Sequence, residues 1–525
     1  MVVPRYPAFN IYSRVAHKTT SLGPLCVATA ARDIGGWDVE VIDENNYREP
    51  GPRGDDGAPD HRALQGLRPA DVVGLYGGLS STAPRLYELA HFYRSRGVPT
   101  VAGGQHFCGE NLAEALDNSI DVVVTGEGEE AISELLPAML QRDAVSSIDG
   151  IAFLYNGQVV RTADRPPLTD FERFPLPDFS LLRYAKIKVY PINWTRGCSM
   201  DCEFCTVKGK PRPQPTERVF EQIKYLVEAR EARQFFMVDD LFGQHRREAL
   251  RLCDMLADYQ AEAGIRIGMT VQIRLDRARD TELLQAMRRA GIHSLAVGFE
   301  SPIEEELEAM NKKLDPEQMV SLARLFRKAG FLVHGMFIFG YPLDGDGTFE
   351  MATQERVKRF RRFIRASRID TVQVLLPVPL PGTEMMERLR RHNRIYPTDL
   401  VGWEYYDGNF PVFEPDLPIS PEQLQLAMRR IMGRFYRFRS MFLVGLYTLV
   451  FPSVIFRASN LKKGFWKWYR YWRNSIIRFG GWRTLKRWTE ELNKGVFNDK
   501  LEKAKRILAE QAAEGATHRN IAEPQ

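Results

Sequence analysis

Cysteine is scarce in this chain, and no apolar run is long enough to cross a membrane. Six cysteines in 525 residues give no disulfide framework of the kind small secreted domains use. The first residues, MVVPRYPAFNIYSR, lack the charged, apolar and small-residue succession of a signal peptide. The apolar run MFLVGLYTLVFPSVIF at 441–456 has sixteen residues, fewer than the roughly 20 that span a bilayer. We therefore expect a protein of the reducing cytoplasm.

Acidic residues are missing between Arg434 and Trp488. This segment holds thirteen Lys or Arg and five of the eight tryptophans, whereas the whole chain nets only +5. Together with the adjacent apolar run, it predicts peripheral attachment to an anionic membrane from the cytoplasmic side. Basic and aromatic residues also suit single-stranded nucleic acid, and a helical cap on the preceding domain is the plainest alternative. The apolar run favours the membrane, so no nucleic acid partner is favoured.

Short apolar runs alternate with helical patterns over residues 1–150, which predicts a doubly wound, Rossmann-like parallel sheet. Several of these runs end in glycine, at positions where a backbone could approach a bulky cofactor closely. Glycine also ends strands in any such fold, so each position taken alone is ambiguous. The candidate cofactor-binding glycines are Gly77, Gly78, Gly103, Gly104, Gly126 and Gly128.

The rest of the chain divides into three predicted parts. Residues 151–190 are expected to form a linker containing a small hairpin around Asn156-Gly157 and a proline-rich connector. Six strand-and-helix units over residues 191–400 predict a partial (β/α)6 barrel with its chemistry at the carboxyl ends of the strands. Residues 401–525 are expected to be a helical carboxyl-terminal region that includes the basic, aromatic segment.

Three of the six cysteines, Cys198, Cys202 and Cys205, fall in the loop after the first strand of this barrel. A structural zinc site would need a fourth ligand, and no second CxxC or HxxxH follows at a useful distance. A disulfide or a redox pair would use only two of the three. An iron–sulfur cluster held by three thiolates would leave one iron open to a substrate or cosubstrate.

This cysteine spacing, C-x3-C-x2-C, resembles that of the radical S-adenosylmethionine (SAM) superfamily. The resemblance implies a 4Fe-4S cluster whose open iron binds SAM, with Phe204 in the aromatic position before the last cysteine. VGFES at 297–301 resembles the segment in which Glu300 would contact SAM, and VQVLLPVPLPGTE at 372–384 resembles the segment beside the adenine. FFMVDDLF at 235–242 resembles the second strand of the cobalamin-dependent branch. Asp239 in that strand would orient SAM or substrate, or cap the next helix.

The amino-terminal domain resembles the cobalamin-binding domains fused to such barrels. The similarity lies in GGQHF and in VVVTGEGEEA, which contains Glu127 between two of the candidate glycines. The D-x-H-x-x-G pattern that ligates cobalt is absent, so His106 is not assigned as a cobalt ligand. It is either a cofactor contact after two glycines or a packing residue.

The resemblance implies reductive cleavage of SAM to a 5′-deoxyadenosyl radical and, with cobalamin, methylation or other remodelling of an unactivated carbon. Carbon–carbon coupling, cyclisation or oxidation without methyl transfer are alternatives, and an RNA-modifying enzyme is a distant one. An electron donor such as flavodoxin or ferredoxin would be required. Membrane attachment suggests a lipid-like, tetrapyrrole or other apolar small-molecule substrate.

Overall fold

Two largely parallel sheets follow one another along the chain, and helices form its carboxyl-terminal part. The structure is a computed structural model and describes all residues except 11–12, 110, 142–144, 344–347, 450–460 and 523–525. The predicted class, an α/β protein with a Rossmann-like domain, a partial barrel and a helical end, is confirmed.

The first sheet has seven strands in the order β2-β1-β3-β4-β5-β6-β7. They are β1 (Val2–Val3), β2 (Ile42–Asp43), β3 (Val73–Tyr76), β4 (Thr100–Gly103), β5 (Val122–Val124), β6 (Ile151–Tyr155) and β7 (Gln158–Arg161). The helices are α1 (Ser13–Ala16), α2 (Leu22–Asp33), α3 (His61–Leu67), α4 (Ala83–Arg94), α5 (Asn111–Asp117) and α6 (Gly128–Gln141). Strands β1 to β5 are parallel and buried, as expected where helices cover both faces.

Two features of this sheet differ from the sequence prediction. The β6–β7 hairpin pairs antiparallel with β5, so it extends the first sheet and is not part of a linker. The connector between the domains therefore begins after Arg161. Two-residue β1 lies inside the sheet between β2 and β3, because neighbours on both sides satisfy a strand too short to be stable alone.

The second sheet is a six-stranded partial barrel in the order β15-β14-β13-β12-β11-β8, with every pairing parallel. Its strands are β8 (Tyr190–Ile192), β11 (Gln234–Phe242), β12 (Gly268–Ile273), β13 (Ile292–Glu300), β14 (Leu332–Ile338) and β15 (Thr371–Leu375). The helices between them are α7 (Thr216–Arg230), α8 (Arg246–Glu262), α9 (Thr281–Arg289), α10 (Glu304–Ala309), α11 (Pro316–Lys328) and α12 (Thr353–Ser367). This arrangement places the loops that follow the strands at one end of the barrel.

The outer edge of β15 is covered by later parts of the chain. The Tyr436 hydroxyl accepts a hydrogen bond from the Val372 N–H (2.9 Å) and donates one to the Val372 carbonyl (2.5 Å). The Leu376 N–H, just beyond the strand, donates to the Gly408 carbonyl (2.7 Å). Edge groups that would otherwise be unpaired are thus satisfied.

The carboxyl-terminal helices are α13 (Glu384–Arg391), α14 (Thr398–Val401), α15 (Pro421–Phe435), α16 (Ser440–Leu449), α17 (Leu461–Asn493) and α18 (Val496–Ala522). Helices α16 and α17 pack together through indole hydrogen bonds. Trp468 donates to the Tyr447 carbonyl (2.5 Å), and Trp472 donates to the Thr448 hydroxyl (2.9 Å). Within the described ranges, no helix is both long and apolar enough to span a membrane. Residues 450–460, which include the last part of the predicted membrane-contact run, lie outside the described residues.

Candidate active site

The cysteine-bearing loop is closed at its base by a short antiparallel ladder. Strand β9 (Thr195–Arg196) pairs with β10 (Arg212–Pro213), so residues 197–211 form one loop on the carboxyl side of β8. The carboxyl ends of parallel strands are where ligands bind in such sheets. The predicted cluster loop therefore lies at the end of the barrel where chemistry is expected.

Asp239 fixes the start of this loop. Its buried carboxylate accepts hydrogen bonds from the backbone N–H of Trp194 (2.6 Å) and Thr195 (2.8 Å) and from the Asn193 amide (3.0 Å). Burial raises the pKa of Asp239 to about 7, and the two backbone donors oppose that shift. Asp239 does not cap the following helix α8, which begins at Arg246 without a side-chain cap, and its predicted contact with SAM or substrate stays a prediction. Asp239 is a positioning residue for the cysteine loop.

The three cysteines lie together on the loop as free thiols. Cys202 is buried, and Cys198 and Cys205 are half-buried. Burial raises the pKa of Cys202 and Cys205, and the nearby loop thiols raise it further. No set of three or more His, Cys, Asp or Glu side chains in the described part of the chain is gathered into a compact metal site. The structure therefore brings the three predicted ligands onto one loop, near enough for their charges to interact, and their binding of a cluster stays a prediction.

Glu203, between two of these cysteines, anchors the loop to the barrel. Its carboxylate accepts from Arg388 Nε (2.5 Å) and Nη2 (2.9 Å) and from the Tyr341 hydroxyl (2.5 Å). The same tyrosine ring packs edge-on against Phe204, with centroids 6.1 Å apart. Arg388 lies 185 positions from Glu203, so no local sequence signal could have revealed this anchor.

Glu300 lies at the end of β13, next to the cysteine loop. It adopts a left-handed backbone conformation (φ 58°) at an irregularity in the pairing with β14. The Lys312 ammonium donates to its carboxylate at 2.8 Å. Burial opposes the charge on Lys312, but Glu300, Cys202 and Cys205 outweigh it and raise the lysine pKa. Sequence reasoning missed Lys312, and the predicted contact of Glu300 with SAM stays a prediction.

A cavity of about 740 Å³ separates the two sheets at their carboxyl ends. Strand ends of the first domain and the flanks of the cysteine loop both line it. The predicted residues among its walls are Gly103, Gly104, Gly126, Glu127 and Gly128, and the barrel contributes Asn193, Thr195, Arg196, Gly197, Thr206, Val207, Lys208, Arg212, Val238 and Asp240. A single cavity is therefore lined by residues of both predicted cofactor-binding regions.

Gly77 and Gly78 are not among the residues that line this cavity, and their predicted contact with cofactor stays a prediction. A Cβ on Gly77 would lie 2.5 Å from the Phe107 ring, and one on Gly78 would lie 2.2 Å from the Tyr76 ring. A Cβ on Gly104 (φ 128°) would lie 2.6 Å from the Gly77 carbonyl. The two loops need glycine because their backbones nearly touch.

His106 packs inside the first domain, the second of its two predicted roles, and its contact with cofactor stays a prediction. Only 1% of the residue is exposed, and its ring nitrogens lie 3.1 Å from the Ser80 hydroxyl and 3.3 Å from the Tyr87 hydroxyl. Its ring packs edge-on against Trp403 at 4.8 Å. Burial lowers the pKa of His106 to about 4, so the ring is neutral at physiological pH.

Glu127 joins the two domains through ion pairs. Its carboxylate accepts from Arg212 (2.9 Å to each oxygen), from Arg196 (3.2 Å) and from the Leu168 N–H (2.6 Å). Burial works against the ionised form, but the two arginines outweigh it and hold the pKa of Glu127 below its ordinary value. Glu127 thus clamps the first domain to the base of the cysteine loop, and because it also lines the cavity, its predicted contact with cofactor stays a prediction.

Two further cysteines line the cavity. Cys26 and Cys108 both contribute to its wall, and burial raises the pKa of Cys26 to about 12. Cys108 lies near the glycine turns, and Cys26 lies on α2. Cys253 is fully buried in the barrel core, as expected for a small apolar residue.

The comparisons with known proteins agree with this division. The radical SAM superfamily matches residues 192–355, and the B12 binding domain family matches residues 11–136. The chain is therefore a radical SAM enzyme with an amino-terminal B12-binding domain. Its cofactors are accordingly a 4Fe-4S cluster, SAM and cobalamin.

Among the named relatives, an uncharacterized methyltransferase of Pyrococcus horikoshii is 27% identical, over 70% of this chain and 78% of that protein. The anaerobic magnesium-protoporphyrin IX monomethyl ester cyclase of Rubrivivax gelatinosus is 26% identical, over 65% and 60%. The hopanoid C-2 methylase of Rhodopseudomonas palustris is 28% identical, over 58% and 57%. The chain thus spans less than two thirds of the last two proteins.

Solved structures share the fold at low identity. The methyltransferase TsrM of Kitasatospora setae, with cobalamin and a 4Fe-4S cluster bound, has a TM-score of 0.58 at 18% identity, over 75% of this chain and 77% of that one. The cobalamin-dependent radical enzyme OxsB, with aqua-cobalamin and SAM bound, has a TM-score of 0.61 at 14% identity, over 96% and 80%. Both likenesses extend across the two domains.

The residues present fit the family's cofactors. The glycine turns expose backbone to the cavity, and Gly126 (φ 115°) has open space where a Cβ would point. The loop beside that cavity carries three thiols, the ligands that iron–sulfur clusters use. The backbone cradle thus lines the cavity, and the three thiols lie on the loop whose flanks border it.

Proposed function

We propose that this enzyme methylates an unactivated carbon of an apolar substrate such as a lipid or a tetrapyrrole. The observation that carries the proposal is the single cavity bordered by both the B12-binding domain and the flanks of the cysteine loop. The hopanoid C-2 methylase and the Pyrococcus horikoshii methyltransferase among the relatives support methyl transfer. The cyclase among them favours a second candidate, ring closure, oxidation or carbon–carbon coupling without methyl transfer.

In this proposal the cysteine triplet holds the cluster. Cys198, Cys202 and Cys205 would bind three irons, and Phe204 would pack beside the loop. When bound, the cluster and SAM supply a carbon-centred radical, and cobalamin supplies a methyl group. The Asp239 and Glu203 anchors keep the loop in register with the barrel while these groups are in place.

The cavity walls would orient the cofactors and keep out water. Glu300 and its partner Lys312 supply a paired charge beside the loop, suited to the amino and carboxylate groups of an amino acid moiety. Gly103, Gly104, Gly126 and Gly128 let backbone approach cobalamin. The ion pairs of Glu127 with Arg196 and Arg212 close one side of the cavity.

We further propose that residues 434–488 attach the enzyme to the cytoplasmic face of an anionic membrane, where an apolar substrate would reside. Helix α16 supports this, because Phe442 and Leu449 are 64% and 79% exposed. An electron donor of the flavodoxin or ferredoxin type would reduce the cluster. Co-sedimentation of the whole chain with anionic and neutral vesicles tests the attachment, and equal recovery with both lipids would contradict its ionic part.

Replacing the three loop cysteines by alanine tests the radical chemistry. We expect the triple variant to lose its cluster iron and to form no 5′-deoxyadenosine, because no other three thiols share a loop in this sequence. Iron content and product are measured on anaerobically reconstituted protein. Cys253→Ala is the control and should keep both, since Cys253 lies in the barrel core. Formation of 5′-deoxyadenosine by the triple variant would show that the assignment is wrong.

A further inference from the structure

A second large cavity, of about 1330 Å³, lies at the other end of the barrel. Its walls include the last turns of α11 and α12, which lead into the amino ends of β14 and β15. Helices α15, α16 and α17 complete it. Because the cysteine loop follows the carboxyl end of β8, this cavity faces away from the site described above.

The charged residues that line this cavity are all basic. Of its nineteen lining residues, ten are Lys or Arg and none is Asp or Glu. The ten come from barrel helices and from the carboxyl-terminal region alike: Arg324, Arg327, Lys328, Arg361, Arg365, Arg368, Arg434, Arg437, Arg470 and Arg478. A few cations near the ends of α11 and α12 would complement the helix dipoles. Ten cations on or next to α11, α12, α15 and α17 are more than the helix dipoles alone would explain.

Most of these cations have no anionic partner in the part of the chain that the structure describes. Within the described residues, only Arg327 of the ten forms a salt bridge, with Asp370 at 3.3 Å. The Nε atoms of Arg361 and Arg478 are buried and make no hydrogen bond there. Burial and the neighbouring arginines lower the pKa of Arg437. Crowded, partly desolvated cations of this kind are stabilised by a bound anion.

One wall of the cavity is apolar and continues onto an exposed surface. Leu443 and Tyr447 of α16 line the cavity. On the same helix Phe442, Leu446 and Leu449 are 64%, 41% and 79% exposed. An anion-binding pocket bordered by an exposed apolar helix has the chemistry of a charged headgroup joined to hydrocarbon chains. A soluble anion would make no use of the apolar border.

We propose that this cavity binds the phosphate headgroup of an anionic phospholipid, while the exposed side of α16 enters the acyl region. The proposal rests on the membrane attachment proposed above and deepens it by naming a headgroup site and a lipid class. Attachment would then depend on particular arginines and not only on the summed positive charge of residues 434–488.

Two matched charge-neutralised variants of α12 test this distinction. Arg361→Gln/Arg365→Gln removes two cations from the cavity wall, and Lys358→Gln/Arg362→Gln removes two from the same helix outside it. The whole, cofactor-loaded chain is titrated with phosphatidylglycerol-containing and phosphatidylcholine vesicles. We expect the cavity variant to bind phosphatidylglycerol vesicles about tenfold or more weakly than the control variant. If attachment depended only on diffuse attraction, about 1 kcal/mol per basic residue, the loss of two cations would weaken vesicle binding equally in both variants.

Each other result has a definite meaning. Equal weakening of the two variants overturns the headgroup site but leaves membrane attachment in place. Absence of vesicle binding by the unmodified chain overturns both. Binding of inorganic pyrophosphate by the unmodified chain without preference for anionic vesicles assigns the cavity to a soluble anion. Loss of donor-dependent turnover with vesicle binding intact assigns it to an acidic electron-transfer protein. Formation of 5′-deoxyadenosine, followed in parallel, reports separately on the radical chemistry.

Discussion

Four carboxylates around the cysteine loop already accept hydrogen bonds from protein donors. Asp239 binds the backbone at the end of β8, Glu203 binds Arg388, Glu127 binds two arginines, and Glu300 binds Lys312. Carboxylates bound in this way hold neighbouring segments in place. Their main effect on chemistry is therefore through the position of the loop that carries the thiols.

His106 provides a prediction at the residue scale. Replacing it with Gln should leave cobalamin retention unchanged, because its ring lies between Ser80 and Tyr87 and not on the cavity wall. The variant should unfold more easily by about 1–3 kcal/mol, since buried hydrogen bonds are disturbed. Cobalt content after gel filtration and denaturant titration measure the two effects. Loss of cobalt from a folded His106→Gln protein would show that His106 contacts the cofactor.

The same residue sets a pH dependence. The pKa of His106 is lowered to about 4 in the folded chain, so folding favours the neutral ring. Its contribution to stability is full above the ordinary histidine pKa of about 6.5 and falls by up to about 1.4 kcal/mol per pH unit down to about 4. The Gln variant should lack this component. His91→Gln, on the exposed side of α4, should retain it.

Among the structural elements, the turns after β3 and β4 are tightly constrained. Gly104→Ala should destabilise the first domain by about 2 kcal/mol or more, because the residue has φ 128° and its Cβ would lie 2.6 Å from the Gly77 carbonyl. Gly103→Ala is the control, since its Cβ would meet Val124 at an ordinary 3.5 Å. Thermal unfolding should separate the two variants. Equal behaviour would show that the turns can move apart.

Local patterns in the sequence predicted much of this architecture. Spacing placed three cysteines on one loop, and apolar runs between helical patterns predicted six barrel strands. The β6–β7 hairpin was assigned to a linker because its pairing with β5 depends on the position of another strand. Glu203–Arg388 and Glu300–Lys312 join residues that the fold brings together. Such pairs have no signature in either partner's neighbourhood.

For the whole molecule, the Glu127 clamp makes the two domains interdependent. Glu127→Gln should weaken their attachment by about 1–3 kcal/mol, because Arg196 and Arg212 lose a carboxylate that both contact. We expect lower cobalamin retention and faster proteolysis between the domains. Glu130→Gln, whose partners Arg165 and Arg173 follow the hairpin, should change stability by less than about 1 kcal/mol.

The clamp also predicts acid sensitivity. Because the pKa of Glu127 is held below its ordinary value of 4.5, its contribution is full above about pH 4.5 and is lost as the pH falls through the lower folded value. The Gln variant should be less sensitive in this range. Equal acid sensitivity of both proteins, followed by the same proteolysis assay, would contradict the clamp.

An open barrel leaves a strand edge that could template the wrong partner. In this enzyme one hydroxyl, that of Tyr436, bonds both the N–H and the carbonyl of Val372 on that edge. The backbone groups of Val372 are therefore not free to bond a second copy of the chain, which disfavours strand pairing between copies along β15. Helix α15, which positions Tyr436 at its end, thus disfavours fibre-like self-association. The substitution Tyr436→Phe would leave two backbone groups free to pair with another copy.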